Sequence, residues 1–326
     1  MRAGSRTKKL VALLVLVGVL FVGWSHAQAI QDWLRLRGYH PPAAISALVA
    51  EDTMTAESQH IFYVNHPKMY TDVNSFRQDC SETEQTIVLG CYHPKQNGIA
   101  VYDVKDQRLH GVVEVTAAHE MLHAAYDRLS SKERDRIDGL LQDYYKNHLT
   151  DQRILSTINA YKKTEPNDVV NEMHSVFGTE VANLPQPLED YYKQYFANRS
   201  VVVAFAQSYE GEFTTRVAQI DADDQKLADV KTKIAQEEQL LSAQLDQINA
   251  DRQQLESLRS NGQIAQYNAK VEDFNAEVDA YNAGVQKLQA DIADYNDLVT
   301  ARNSLASELR ALDQSLDTRL TTQAAQ

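Results

Sequence analysis

The sequence predicts an α+β chain: a small mixed sheet with several helices over roughly 30–211, followed by a long antiparallel helical hairpin over 212–326. Three observations carry that prediction. Prolines at 41, 42, 67, 94, 166, 185 and 187 punctuate the first part and are absent from the last 139 residues. Short β-branched or aromatic runs bounded by turn residues occur between 61 and 104. Beyond 212, apolar residues recur at helical spacing in segments that almost lack helix breakers.

The N-terminus carries Arg2, Arg6, Lys8 and Lys9, then the uncharged apolar run Leu10–Trp24 of 15 residues, then Ala27-Gln28-Ala29. A basic stretch, an apolar stretch and a small-x-small site make residues 1–29 a signal peptide or an uncleaved signal anchor. Either outcome leaves the rest of the chain extracytoplasmic, secreted or attached to the membrane by this segment, because positive charge stays inside. In an oxidising compartment Cys80 and Cys91 can close a short disulfide loop.

After Pro41-Pro42 a short helix runs to about Ala50. Ile61–Asn65, Thr86–Tyr92 and Ile99–Val104 read as strands, the last two paired across a Pro- and Gly-containing turn. From Val115 the period becomes helical, and Ser130-x-x-Glu133 is a capping box opening the next helix. Further helices are expected over Asp151–Lys163 and from Asn167 or Asp168 to about Gly178.

In the tail, Tyr267, Val271, Phe274, Val278, Tyr281, Val285, Leu288, Ile292, Tyr295 and Val299 follow a 4,3 alternation. Leu227, Val230, Ile234, Leu241, Leu245, Ile248, Leu255 and Leu258 form a second seam, with the turn signal Ser260-Asn261-Gly262 between the two. A coiled-coil hairpin follows, with self-association or a protein partner on the same seams as the competing outcome.

The 326 residues hold 32 Lys plus Arg against 45 Asp plus Glu, for a net charge of −13. Such a polyanion repels phosphate backbones, which excludes nucleic acid as a partner. Two cysteines are too few for a disulfide scaffold or a four-cysteine zinc site.

Chemistry concentrates in His119-Glu120-Met121-Leu122-His123, an H-E-x-x-H motif in a stretch free of Pro and Gly. Residues i and i+4 share a helix face, so His119 and His123 can offer two ring nitrogens to one zinc ion. Glu120 is offset by one position and can take a proton from a zinc-bound water as that water attacks a carbonyl. A third ligand is needed, and no histidine follows at the short H-x-x-G-x-x-H spacing. Glu172, 49 residues after His123, falls among Val169, Met173, Val176 and Phe177 on the apolar face of a predicted helix. A carboxylate there is costly unless it binds a cation or pairs with an arginine. Glu180 is the second choice, and His174, Tyr161, Tyr191 and Tyr192 are candidate hydrogen-bond donors to an oxyanion. Asn198-Arg199-Ser200 fits the N-glycosylation pattern.

The H-E-x-x-H of 119–123 and the Asn171-Glu172 pair resemble the gluzincin branch of the zincin metallopeptidases. That resemblance implies a zincin-like fold and zinc held by His119, His123 and Glu172. It also implies Glu120 as general base and acid, and a peptide or protein substrate extended along an edge strand. Many gluzincins carry Asp four residues after the ligand Glu, where this chain has Val176, and the spacer exceeds that of the thermolysin-like group. The competing reading is an envelope or surface interaction protein whose coiled coil is the working part and whose zinc site is structural or vestigial.

Overall fold

Helices account for most of the chain. A computed structural model describes residues 26–80, 88–94, 98–164 and 166–318. The apolar run of the expected signal segment therefore lies outside the described residues. Among those residues no helix is long and apolar enough to cross a membrane. The chain divides into two compact units, 1–210 with 315–326, and 211–314.

The first unit begins with α1 (Ala27–Leu36), α2 (Ala43–Glu51) and α3 (Ala56–Val64). Strand β1 (Lys68–Tyr70), helix α4 (Val73–Asp79), and strands β2 (Gly90–His93) and β3 (Gly98–Tyr102) follow. A single 3-10 turn leads into α5 (Val112–Asp127), α6 (Ser131–Asn147), α7 (Gln152–Thr164), α8 (Val169–Glu180) and α9 (Gln186–Tyr192).

The expected α+β fold with a zincin-like sheet is incorrect. Strands of three, four and five residues form one sheet in the order β1-β3-β2, and the protein is predominantly helical. The run Ile61–Asn65 shows why. Its residue types favour a strand, but Thr55 accepts a hydrogen bond from the Ser58 amide and starts a helix six residues earlier. Within that helix Ser58, Ile61 and Phe62 are buried at i, i+3 and i+4, so packing of one helical face overrides propensity. The expected hairpin is present, with Gly90 opposite Val101 and Tyr92 opposite Ile99 in antiparallel register. Strand β1, parallel to β3 with Lys68 opposite Ala100, is too short for its alternation to be read in the sequence.

Helices α5 and α8 lie against each other through Gly178. A Cβ there would stand 2.5 Å from Leu122 Cδ1 and 2.7 Å from Tyr192 Cε1, so the close approach requires glycine. The end of α8 is held by Arg199, which is 7% exposed. Its guanidinium donates to the carbonyls of Val181 (2.7 Å) and Ala182 (3.3 Å) and to Glu189 Oε2 (3.1 Å). Arg199→Met leaves those acceptors without a charged donor. A decrease of about 2–4 kcal/mol in the unfolding free energy is expected in urea titration. An unchanged midpoint would show that Arg199 does not secure α8.

Helix α10 runs from Arg199 to Ser260, so the expected boundary at 211 falls inside a helix. Its first turns bury Val202, Val203, Ala206 and Tyr209, which explains why they belong with the first unit. The second unit is a hairpin of α10 and α11 (Ile264–Leu316). The turn uses Gly262 at φ 72°, a left-handed conformation that favours glycine. Antiparallel register is evident from Arg302 to Asp224 (2.8 Å), Lys233 to Asp291 (2.6 Å) and Lys270 to Gln254 (2.6 Å).

Candidate metal centre

Helix α5 carries both histidines, and its flanking alanines allow deep burial: Ala117, Ala118, Ala124 and Ala125 are at most 1% exposed. One helical turn separates His119 from His123, bringing their Nε2 atoms to 2.9 Å. Glu172 projects from the first turn of α8 into the same space. Its Oε1 is 3.4 Å from His123 Nε2, and its Oε2 is 3.6 Å from His119 Nε2. Ligands about 2.0–2.1 Å from a tetrahedral zinc stand roughly 3.3 Å apart. The three observed separations bracket that spacing, and all three donor atoms lie within 4.8 Å of one another.

Electrostatics favour a cation here. Glu172 is 5% exposed. Burial pushes its pKa up. Its nearness to His123 and hydrogen bonding by His119 and Tyr161 outweigh this and hold the carboxyl below its ordinary range. An ionised, buried carboxylate facing two imidazoles is a donor set that suits zinc. The site residues therefore fit the ion that the sequence implied.

Glu120 is not one of the three converging donors. Its carboxyl lies against Gly90 at the start of β2, the strand at one edge of that sheet. A Cβ at position 90 would stand 2.7 Å from Glu120 Oε1 and 2.6 Å from Thr116 Cγ2. Gly90 is thus a positioning residue that the sequence reading did not single out. Nothing in the sequence distinguishes it from an ordinary turn glycine, because the requirement comes from α5 on the far side of the strand. Gly90→Ala is expected to push Glu120 and Thr116 from their places against β2 and to lower the melting temperature; an unchanged melting temperature would show that these side chains have room to move.

The disulfide of Cys80 and Cys91 is closed, with Cα atoms 5.9 Å apart, and it ties the end of α4 to β2 beside Gly90. His93 Nε2 lies 3.2 Å from Cys91 Sγ and 2.8 Å from the Asp79 carbonyl oxygen.

The remaining candidates separate clearly. Glu180, the alternative third ligand, sits at the far end of α8, paired with Arg153 at 2.5 Å. Tyr161 on α7 is at the site, through its hydrogen bond to Glu172. His174 is completely buried with Nε2 2.9 Å from the Tyr191 hydroxyl, and burial drives its pKa down to about 3. It is a neutral core group. Tyr191 contacts Tyr195 at 3.2 Å, and Tyr192 donates to the His174 carbonyl at 2.6 Å, so both belong to the same buried cluster. Asp168 precedes α8, accepts from Asn171 Nδ2 at 3.1 Å, and has its pKa raised by burial. The side chain of Asn198, ahead of α10, accepts from the Ser200 hydroxyl at 2.7 Å.

Comparison with known proteins finds no match: no family model, no curated protein and no solved structure resembles this chain. The functional reading rests on the site's own chemistry.

Proposed function

We propose that this protein is a zinc-dependent metallopeptidase with a gluzincin-type ligand set carried on a mainly helical fold. The observation that carries the proposal is the convergence of His119, His123 and Glu172, with a further carboxylate, Glu120, at the position after His119 on the same helix. A structural zinc site is closed by four protein ligands and has no use for an extra carboxylate. A catalytic one keeps a position open and needs a base.

Zinc held by the three residues would supply Lewis acidity toward a carbonyl and toward water. His119 and His123 keep their Nε2 lone pairs directed inward, and Glu172 contributes negative charge that tempers the ion. Tyr161 orients that carboxylate by hydrogen bonding. Glu120 accepts a proton from the attacking water and passes it to the departing amine nitrogen. Strand β2, at the edge of the sheet next to Glu120, offers backbone groups to an extended peptide.

The same reading keeps the catalytic unit outside the cytoplasm. It is supported by the basic and apolar N-terminus and by the Cys80–Cys91 disulfide, a bond that persists in oxidising compartments. The test is hydrolysis of a mixed peptide library, followed by mass spectrometry. Cleavage should stop on chelation and return on adding zinc. Cleavage that survives chelation, or none at any zinc level, would contradict the proposal.

A further inference from the structure

Helix α1 has two unlike faces. One is bound to the rest of the first unit by polar contacts. Asp32, 7% exposed, accepts both Arg128 Nη atoms (2.8 and 2.9 Å) and lies 3.1 Å from His60 Nε2. Arg35 donates from Nε to the Val64 carbonyl at 2.6 Å. The other face carries Ile30, Trp33 and Leu34, which are 47%, 60% and 56% exposed. The guanidinium of Arg37 lies over the Trp33 ring at 5.4 Å, extending this face by one turn. The usual arrangement is therefore inverted: the acid is buried and the large apolar groups are in the open.

Two features of the sequence say what covers this face. Only two residues separate the apolar run Leu10–Trp24 from α1. Charge is the second: Arg2, Arg6, Lys8 and Lys9 precede the apolar run, Arg35 and Arg37 follow it, and residues 38–326 carry a net −18. On the α1 side of the run the bilayer therefore meets arginine first, while the anionic remainder is held off the surface. Tryptophan beside aliphatic side chains and an arginine is the composition of a helix lying among lipid headgroups.

We propose that the exposed face of α1 is seated in the headgroup layer of an anionic lipid bilayer. Ile30, Trp33 and Leu34 enter the acyl boundary, and Arg37 meets lipid phosphates. The Asp32–Arg128 pair, which joins α1 to the end of α5, then fixes the histidine-bearing helix relative to the membrane surface. This inference does not depend on whether the metal site is catalytic.

The test uses the full chain with Trp24→Phe, which leaves Trp33 as the sole tryptophan, in phosphatidylcholine/phosphatidylglycerol vesicles. With acyl chains brominated near the headgroup, Trp33 emission should fall about twofold or more relative to unbrominated vesicles. Adding Ile30→Ser and Leu34→Ser, both at exposed positions, should abolish most of that quenching. Equal emission in the two vesicle types, with strong quenching by aqueous acrylamide, would place the face in water and overturn the proposal. Protection from both quenchers would mean that protein covers it, a second copy included, and would overturn it too. Undiminished bromine quenching in the serine variant would show that nearness to the apolar run, not the α1 face, sets the position of Trp33.

Discussion

Glu120→Gln is expected to keep its zinc and to lose peptide hydrolysis by about 10²–10⁴-fold, the usual worth of a positioned general base. The substitution is nearly isosteric, so the close approach to Gly90 and the 7% exposure of the side chain are preserved. What changes is the ability to accept a proton. Glu120 is not among the three converging donors, so metal content should match that of the unmodified protein. Loss of zinc in this variant would make Glu120 a ligand and remove the base from the mechanism. Retained turnover would move the base elsewhere, with Asp168, a carboxyl whose pKa burial raises, as the next group to replace.

The second large effect is expected at Glu172. Replacing it with alanine should weaken zinc binding by more than about 100-fold, the upper end of losses seen when only a group behind a ligand is removed. Each 100-fold of lost affinity removes about 2.7 kcal/mol of zinc-linked stability when the ion is in excess. The rise in melting temperature on adding zinc should therefore shrink or disappear. The metal-free form should also respond. The carboxyl of Glu172 is held below its ordinary range, so above that range it stabilises the fold, and deleting it removes that contribution. Metal-free Glu172→Ala should therefore melt below the metal-free parent. If zinc still raises its melting point fully, Glu172 is a structural partner of the two histidines and not a ligand.

The His119, His123 and Glu172 cluster was legible because its signals are local or depend on periodicity. One helical turn links His119 to His123, and Glu172 stands out as a charge within an apolar stripe. Helix periodicity places both groups, although it cannot say that α5 and α8 face each other. That pairing depends on Gly178, whose missing side chain admits Leu122 and Tyr192. The hairpin of the second unit was readable for the same reason, since its seam and its Gly262 turn are both sequence-local.

The sheet was harder to read. Ile61–Asn65 has strand-forming side chains, yet a cap at Thr55 and a buried Ser58-Ile61-Phe62 face make it helical. Short apolar runs do not distinguish the two states, because burial on one side satisfies either period. The sheet therefore takes its third strand from Lys68–Tyr70 and not from Ile61–Asn65, and the fold is mainly helical. The contact of Gly90 with Glu120 was invisible for a further reason: it joins a strand to a helix across a span that no local pattern encodes.

The most direct measurement is the zinc-to-protein ratio of the full chain by elemental analysis, alongside Glu120→Gln and Glu172→Ala, after zinc loading and extensive dialysis. One zinc per chain is expected in the first two, with little retained in the third. A ratio near zero in the unmodified protein would contradict the central claim, leaving His119, His123 and Glu172 as a buried polar cluster without a metal.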